Sequence, residues 1–137
     1  MRAWRLICAV GLMIALQIAV AQAADIAQPA TPFVVPVGTD GVQRATITLD
    51  SYSYAPKHLI VEAGKPVELT LTSVTTITPH NFIIKELSVE QDVSAGKTVT
   101  ITFTPTLTGT FPIYCDKRLW PLPSHRDKGM EGTFEVK

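Results

Sequence analysis

The chain has 137 residues, 46% of them hydrophobic and 18% charged, with twelve Lys+Arg against twelve Asp+Glu. The length fits one small domain with its own core, and so even a charge balance offers no basic patch for nucleic acid. The two cysteines stand at positions 8 and 115, and their fates differ.

Residues 1–23 read as a secretory leader. Basic Arg2 and Arg5 precede an apolar run from Leu6 to Val20, and Ala21-Gln22-Ala23 supplies the small residues of a cleavage site. The run falls short of the ~20 apolar residues that a spanning helix needs. The expectation is a periplasmic protein, cleaved after Ala23 and not membrane-embedded afterwards. Cleavage would remove Arg2, Arg5 and Cys8, leaving ten Lys+Arg against twelve Asp+Glu. Cys115 would then have no intramolecular partner. A single thiol in an oxidising compartment is a liability unless it is buried, reactive or bound to a metal.

Residues 24–42, ADIAQPATPFVVPVGTDG and Val42, contain three prolines and no usable period. They read as a flexible or irregular leading segment, in which Phe33 to Val37 has the makings of an edge strand. From residue 43 to 137 a period of two dominates: RATITLD (44–50), VELTLTS (67–73), KTVTITF (97–103) and the closing GTFEVK. Alternation of this kind marks half-buried strands, and HLIVEAG and HNFIIKEL add two apolar runs. Turn residues separate them at Ala63-Gly64-Lys65-Pro66, Ala95-Gly96, Pro105 and Gly109. About seven short strands punctuated in this way predict an all-β domain, an antiparallel Greek-key β-sandwich.

Alternation also aims the polar side chains. In TFPIYC the inward phase of Phe111 and Ile113 takes in Cys115, and in HNFII His80 shares a phase with Phe82 and Ile84. Pro112 falls on the opposite phase and points to an edge strand or a bulge. A buried cysteine alone is ordinarily an inert small hydrophobe, and a lone inward histidine is ordinarily a hydrogen-bonded core residue. Their company changes the reading, because Cys115 is followed by His125 and Met130 with nine and four residues between. Two imidazoles, a thiolate and a thioether are the donors of a mononuclear copper electron-transfer site, whose soft sulfurs suit Cu(I) while imidazole serves both oxidation states. Zinc would call for further Cys or His in place of Met. A Cys115–His125 nucleophilic pair lacks an evident acidic orienter or oxyanion site.

PHNFII around His80 and IYC…H…GMEGTFEV at the end resemble the cupredoxins, the small blue-copper proteins, over Gln43 to Lys137. The resemblance implies a cupredoxin-like sandwich and one copper per chain, cycling between Cu(I) and Cu(II). It implies His80, Cys115, His125 and Met130 as ligands, with Asn81 pinning the ligand loop through its side chain. It implies a non-enzymatic electron carrier. Copper sequestration or delivery by the same four ligands is the alternative, and a metal-free interaction module would leave Cys115 unexplained. The loop departs from the short-loop members of the family. Its length is closer to that in the first domain of copper nitrite reductases, although the further histidines and second domain of that enzyme are missing. His58 reads as a surface or strand-edge residue, and Glu131, next to Met130, as its alternative in the ligand set. The apolar run Leu119-Trp120-Pro121-Leu122-Pro123 reads either as a docking face for a redox partner such as a cytochrome, rimmed by Lys117, Arg118, Arg126 and Lys128, or as a lid folded over the site.

Overall fold

The computed structural model describes residues 31–137; the leader, its cleavage site and Cys8 lie outside the described residues. Ten strands follow in chain order among them: β1 (Phe33–Val34), β2 (Gln43–Asp50), β3 (Ser53–Ala55), β4 (His58–Val61), β5 (Val67–Ser73), β6 (His80–Ile84), β7 (Val89–Val93), β8 (Thr98–Phe103), β9 (Gly109–Tyr114) and β10 (Glu131–Val136). A single 3-10 turn, Lys85–Leu87, joins β6 to β7.

The period of two does what it should. β2 buries Ala45, Ile47 and Leu49 and turns Arg44, Thr46 and Thr48 outward, while β5 buries Val67, Leu69 and Leu71. Facing them are Leu59, Val61, Phe82, Ile84, Ile113, Phe134 and Val136, all within one apolar cluster. Burying each such side chain contributes roughly 1.5–3 kcal/mol. The sandwich therefore rests on two inner faces written into the alternation.

One sheet has the order β1-β4-β10-β9-β6-β7 and the other β3-β2-β5-β8. Both are mixed. β2 runs parallel to β5, and β4 runs parallel to both β1 and β10, among otherwise antiparallel pairs. The cause is topological, because a chain that crosses between layers before returning lays non-consecutive strands side by side in the same direction. The two sheets keep open edges and do not close into a barrel. Within the leading segment, Phe33–Val34 pairs with β4 and Val35 is buried, its N–H donating to the Ile60 carbonyl at 2.9 Å.

β9 is not an edge strand, contrary to what Pro112 implies. It lies between β10 and β6, but its ladder with β6 is confined to Ile83↔Tyr114. The missing Pro112 N–H thus costs no pairing on that side. β6, β9 and β10 are neighbours in the sheet, and His80, Cys115 and Met130 stand at the ends of these three strands.

Candidate metal centre

His80 opens β6, and Cys115 directly follows β9. The two strands run antiparallel with Ile83 opposite Tyr114. Extending that register by two residues sets Asn81 against Asp116. The Asn81 side chain uses both its atoms there: Nδ2 donates to Asp116 Oδ1 at 2.7 Å, and Oδ1 accepts the Asp116 N–H at 3.1 Å. The backbone N–H of Asn81 points at Cys115 Sγ from 3.4 Å. One residue therefore holds the cysteine from two sides, and its side chain pins the start of the loop as the family resemblance implies. Tyr54 adds a strut from the other sheet, donating its hydroxyl to the Asn81 carbonyl at 2.6 Å while its ring meets Phe82 edge-on.

His125 reaches the same place by a different route. Its N–H donates to the Lys117 carbonyl at 2.8 Å, which closes the neck of the loop and leaves residues 118–124 as an outward excursion. Within it the Leu122 N–H returns to the Leu119 carbonyl at 2.7 Å, a tight turn with Trp120 and Pro121 at its tip. Seven of the nine residues between Cys115 and His125 thus lie beyond the closed neck.

Residues 124–130 form one helical turn capped at both ends. Ser124 Oγ accepts the Asp127 N–H at 3.1 Å while Asp127 Oδ2 accepts the Ser124 N–H at 2.9 Å, a reciprocal capping box. At the other end Gly129 has φ +94, its N–H bonds the Arg126 carbonyl at 2.8 Å, and the Met130 N–H bonds the His125 carbonyl at 2.9 Å. That pair of bonds is a Schellman closure, which wants glycine at the left-handed position. The SHRD and KGM strings carry both signals in the sequence, and they set the separation of His125 from Met130.

The result is a cluster. Nitrogen atoms of His80 and His125 and the sulfur of Cys115 all lie within 4.8 Å of one another. Sγ of Cys115 is 3.4 Å from Nδ1 of His125, and the two imidazole centroids are 5.1 Å apart. His80 and Cys115 are fully buried, and His125 is 7% exposed. Burial lowers the pKa of both histidines and raises that of the Cys115 thiol, so the imidazoles are held neutral, the form that donates a lone pair to a metal.

His80 shows which atom is offered. Its Nε2 lies 3.4 Å from Thr75 Oγ1, which itself donates to the Thr78 carbonyl at 2.6 Å. That partnership assigns the proton to Nε2 and leaves Nδ1 with a free lone pair. Nδ1 of His80 is buried and has no hydrogen-bond partner. A buried acceptor without a partner costs roughly 1–3 kcal/mol, and a metal ion shared with the neighbouring donors would satisfy it. Thr75, in the unpatterned VTTITP stretch, is a supporting residue that no sequence signal announced.

Met130 is fully buried in the same apolar cluster, and its carbonyl accepts the Cys115 N–H at 3.2 Å. Glu131 turns outward to Arg126 instead. His58 pairs with Glu135 at 3.2 Å across the neighbouring strands β4 and β10 and stands apart from the cluster. Outside the site, Ile77 is 87%, Trp120 81% and Leu119 74% exposed. Together with Tyr52, Pro79, Leu122 and Lys128 the first and last of these border a groove of about 380 Å³ that His125 also lines. Trp120 does not fold back over the site. Ile77, reached from the loop before His80, is a part of this face that the sequence did not reveal.

The sequence pattern of the cupredoxin-like domain matches residues 9–129. The chain belongs to this family. No curated protein sequence matches this cupredoxin-like chain. Among solved structures, it is similar to the metal-binding domain of the Streptococcus pneumoniae D39 Cu(I)-exporting P-type ATPase CopA, at 19% identity and TM-score 0.63, covering 80% of this chain and 98% of that one. It is similar to dithionite-reduced auracyanin of the photosynthetic bacterium Roseiflexus castenholzii, at 20% identity and TM-score 0.57, covering 73% and 99%. A multicopper oxidase shares the fold at 19% identity and TM-score 0.58, with 75% of this cupredoxin-like chain and 45% of the oxidase covered. At such identities the likeness concerns the fold.

Proposed function

We propose that this cupredoxin-like protein is a periplasmic, non-enzymatic electron carrier holding one copper ion between His80, Cys115, His125 and Met130. The observation that carries the reading is buried His80, whose Nδ1 has no partner, in a cluster where one nitrogen each of His80 and His125 and the Cys115 sulfur lie within 4.8 Å of one another. Copper bound by such donors supplies a one-electron Cu(I)/Cu(II) couple.

The remaining work belongs to the chain. Asn81 and the Cys115–Met130 backbone bond hold the sulfur still, Thr75 fixes the His80 tautomer, and the double-capped turn fixes His125. A rigid donor set changes little when an electron arrives or leaves. Burial of all four side chains excludes bulk water and outside ligands, which favours retaining the metal over handing it on. Sequestration or delivery of copper is the second reading, supported by a fold shared with a domain of a Cu(I)-exporting ATPase. The face made by Ile77, Leu119, Trp120 and Leu122 would dock a redox partner such as a cytochrome, with Arg118 and Lys128 steering it.

Titration of the purified protein with Cu(II), beside Cys115→Ser, tests the assignment. An intense visible sulfur-to-copper band, saturating at one copper and absent from the variant, together with reversible one-electron cycling, is the expected result. Copper held only as Cu(I) and passed quickly to a chelator would select delivery instead. Trp120→Ala should slow electron transfer to a partner while leaving copper affinity unchanged.

A further inference from the structure

Tyr52 occupies a position that its residue type does not explain. It sits in the two-residue turn Ser51-Tyr52 between β2 and β3, with φ +62. A bulky side chain there is an outlier, since glycine and asparagine take the left-handed region at lower cost. Backbone strain of this kind is a pointer to function when the side chain meets something of consequence. The Tyr52 ring meets His125 edge-on, with centroids 5.2 Å apart and planes at 76°. Lys128, from the same capped turn as His125, donates its Nζ to the Tyr52 hydroxyl at 2.9 Å and stands 4.4 Å from the ring centroid. His125 is only 7% exposed, although Arg126, Asp127 and Lys128 beside it are exposed.

We propose that Tyr52, latched by Lys128, shields the solvent side of His125 and sets how fast outside reagents reach that imidazole and how fast bound metal escapes past it. The part concerning metal escape rests on the copper site proposed above. The part concerning imidazole access stands on the protein alone. It also assigns a purpose to the strained turn: the first hairpin reaches across to the ligand loop and closes it from outside.

The decisive variant is Tyr52→Asn, because asparagine suits the left-handed turn and the hairpin should not be weakened. In the metal-free protein, carbethoxylation of each histidine by diethyl pyrocarbonate is followed by peptide mass spectrometry. His58, paired with Glu135 across β4 and β10, is the internal control. Tyr52→Asn should speed His125 modification about tenfold, the factor equivalent to losing about 1.4 kcal/mol of packing over the ring, with the His58 rate unchanged. Lys128→Met, which releases the latch and keeps the ring, should give a smaller acceleration. In the copper-loaded protein, loss of copper to a chelator should accelerate in the same order. An unchanged His125 rate in Tyr52→Asn overturns the shield. Faster modification in a protein that binds no copper upholds the shield and sinks the copper reading.

Discussion

Replacing Asn81 by alanine is the most direct probe of how the site is built. The residue is 1% exposed, and its side chain makes two hydrogen bonds with Asp116, at 2.7 and 3.1 Å. A bond to a charged acceptor contributes about 1.5–3 kcal/mol and a neutral one about 1 kcal/mol. Asp116 is exposed, so water recovers part of the first after the cut. The lower end applies, and the small cavity left behind adds a little. The expected loss is about 2–3 kcal/mol, which lowers Tm by about 8–12 °C in a domain of this size. Thermal and denaturant unfolding of the metal-free protein, followed by circular dichroism, measures it. A second readout separates the site from the fold: with Asp116 released, the Cys115 sulfur is held from one side only, and the visible band of the copper-loaded variant should broaden or shift. Asn81→Asp should be worse at neutral pH, since it sets a carboxylate against Asp116. A loss below about 0.5 kcal/mol, the level of an ordinary surface change, would refute the claim that the Asn81–Asp116 pair anchors the loop.

Gly129→Ala should destabilise by about 1–2 kcal/mol, the cost of a side chain in the left-handed region; no atom crowds the added Cβ, so Gly129→Asn should recover much of the loss in the same unfolding assay. Gly132→Ala should be more severe, because its Cβ would stand 2.5 Å from the Lys57 carbonyl oxygen and push β10 from its place beside β4; soluble yield and denaturant midpoint report it. Arg126 lies 4.3 Å from the Tyr114 ring centroid and pairs with Glu131, so it ties together the chain neighbours of Cys115, His125 and Met130. Arg126→Gln should leave metal-free Tm within about 4 °C, as suits a surface ion pair, while raising the rate of copper loss; Arg126→Lys should restore part of the effect.

The strands and the meeting of His80, Cys115 and His125 were legible in the sequence because both depend on spacing. Alternation placed Leu49, Leu69 and Phe134 inside, and the same parity carried His80 and Cys115 inward with them. Pro112 misled, because a residue type reports a missing N–H without saying whether a neighbour needed it. The mixed pairing of β2 with β5 was invisible for a related reason: period-two patterning is the same whichever way the neighbour runs.

What the sequence determined by itself is the inward phase of His80 and Cys115 on two strands and, in SHRDKGM, a turn that spaces His125 from Met130 through local bonds alone. Tertiary structure decided the rest. Asn81 meets Asp116 through the register of β6 and β9, and Tyr52 reaches His125 from a hairpin more than seventy residues earlier. Such contacts join segments whose separation no local period encodes. They exist only because burying the two apolar faces brings the same ends of β2, β6, β9 and β10 together.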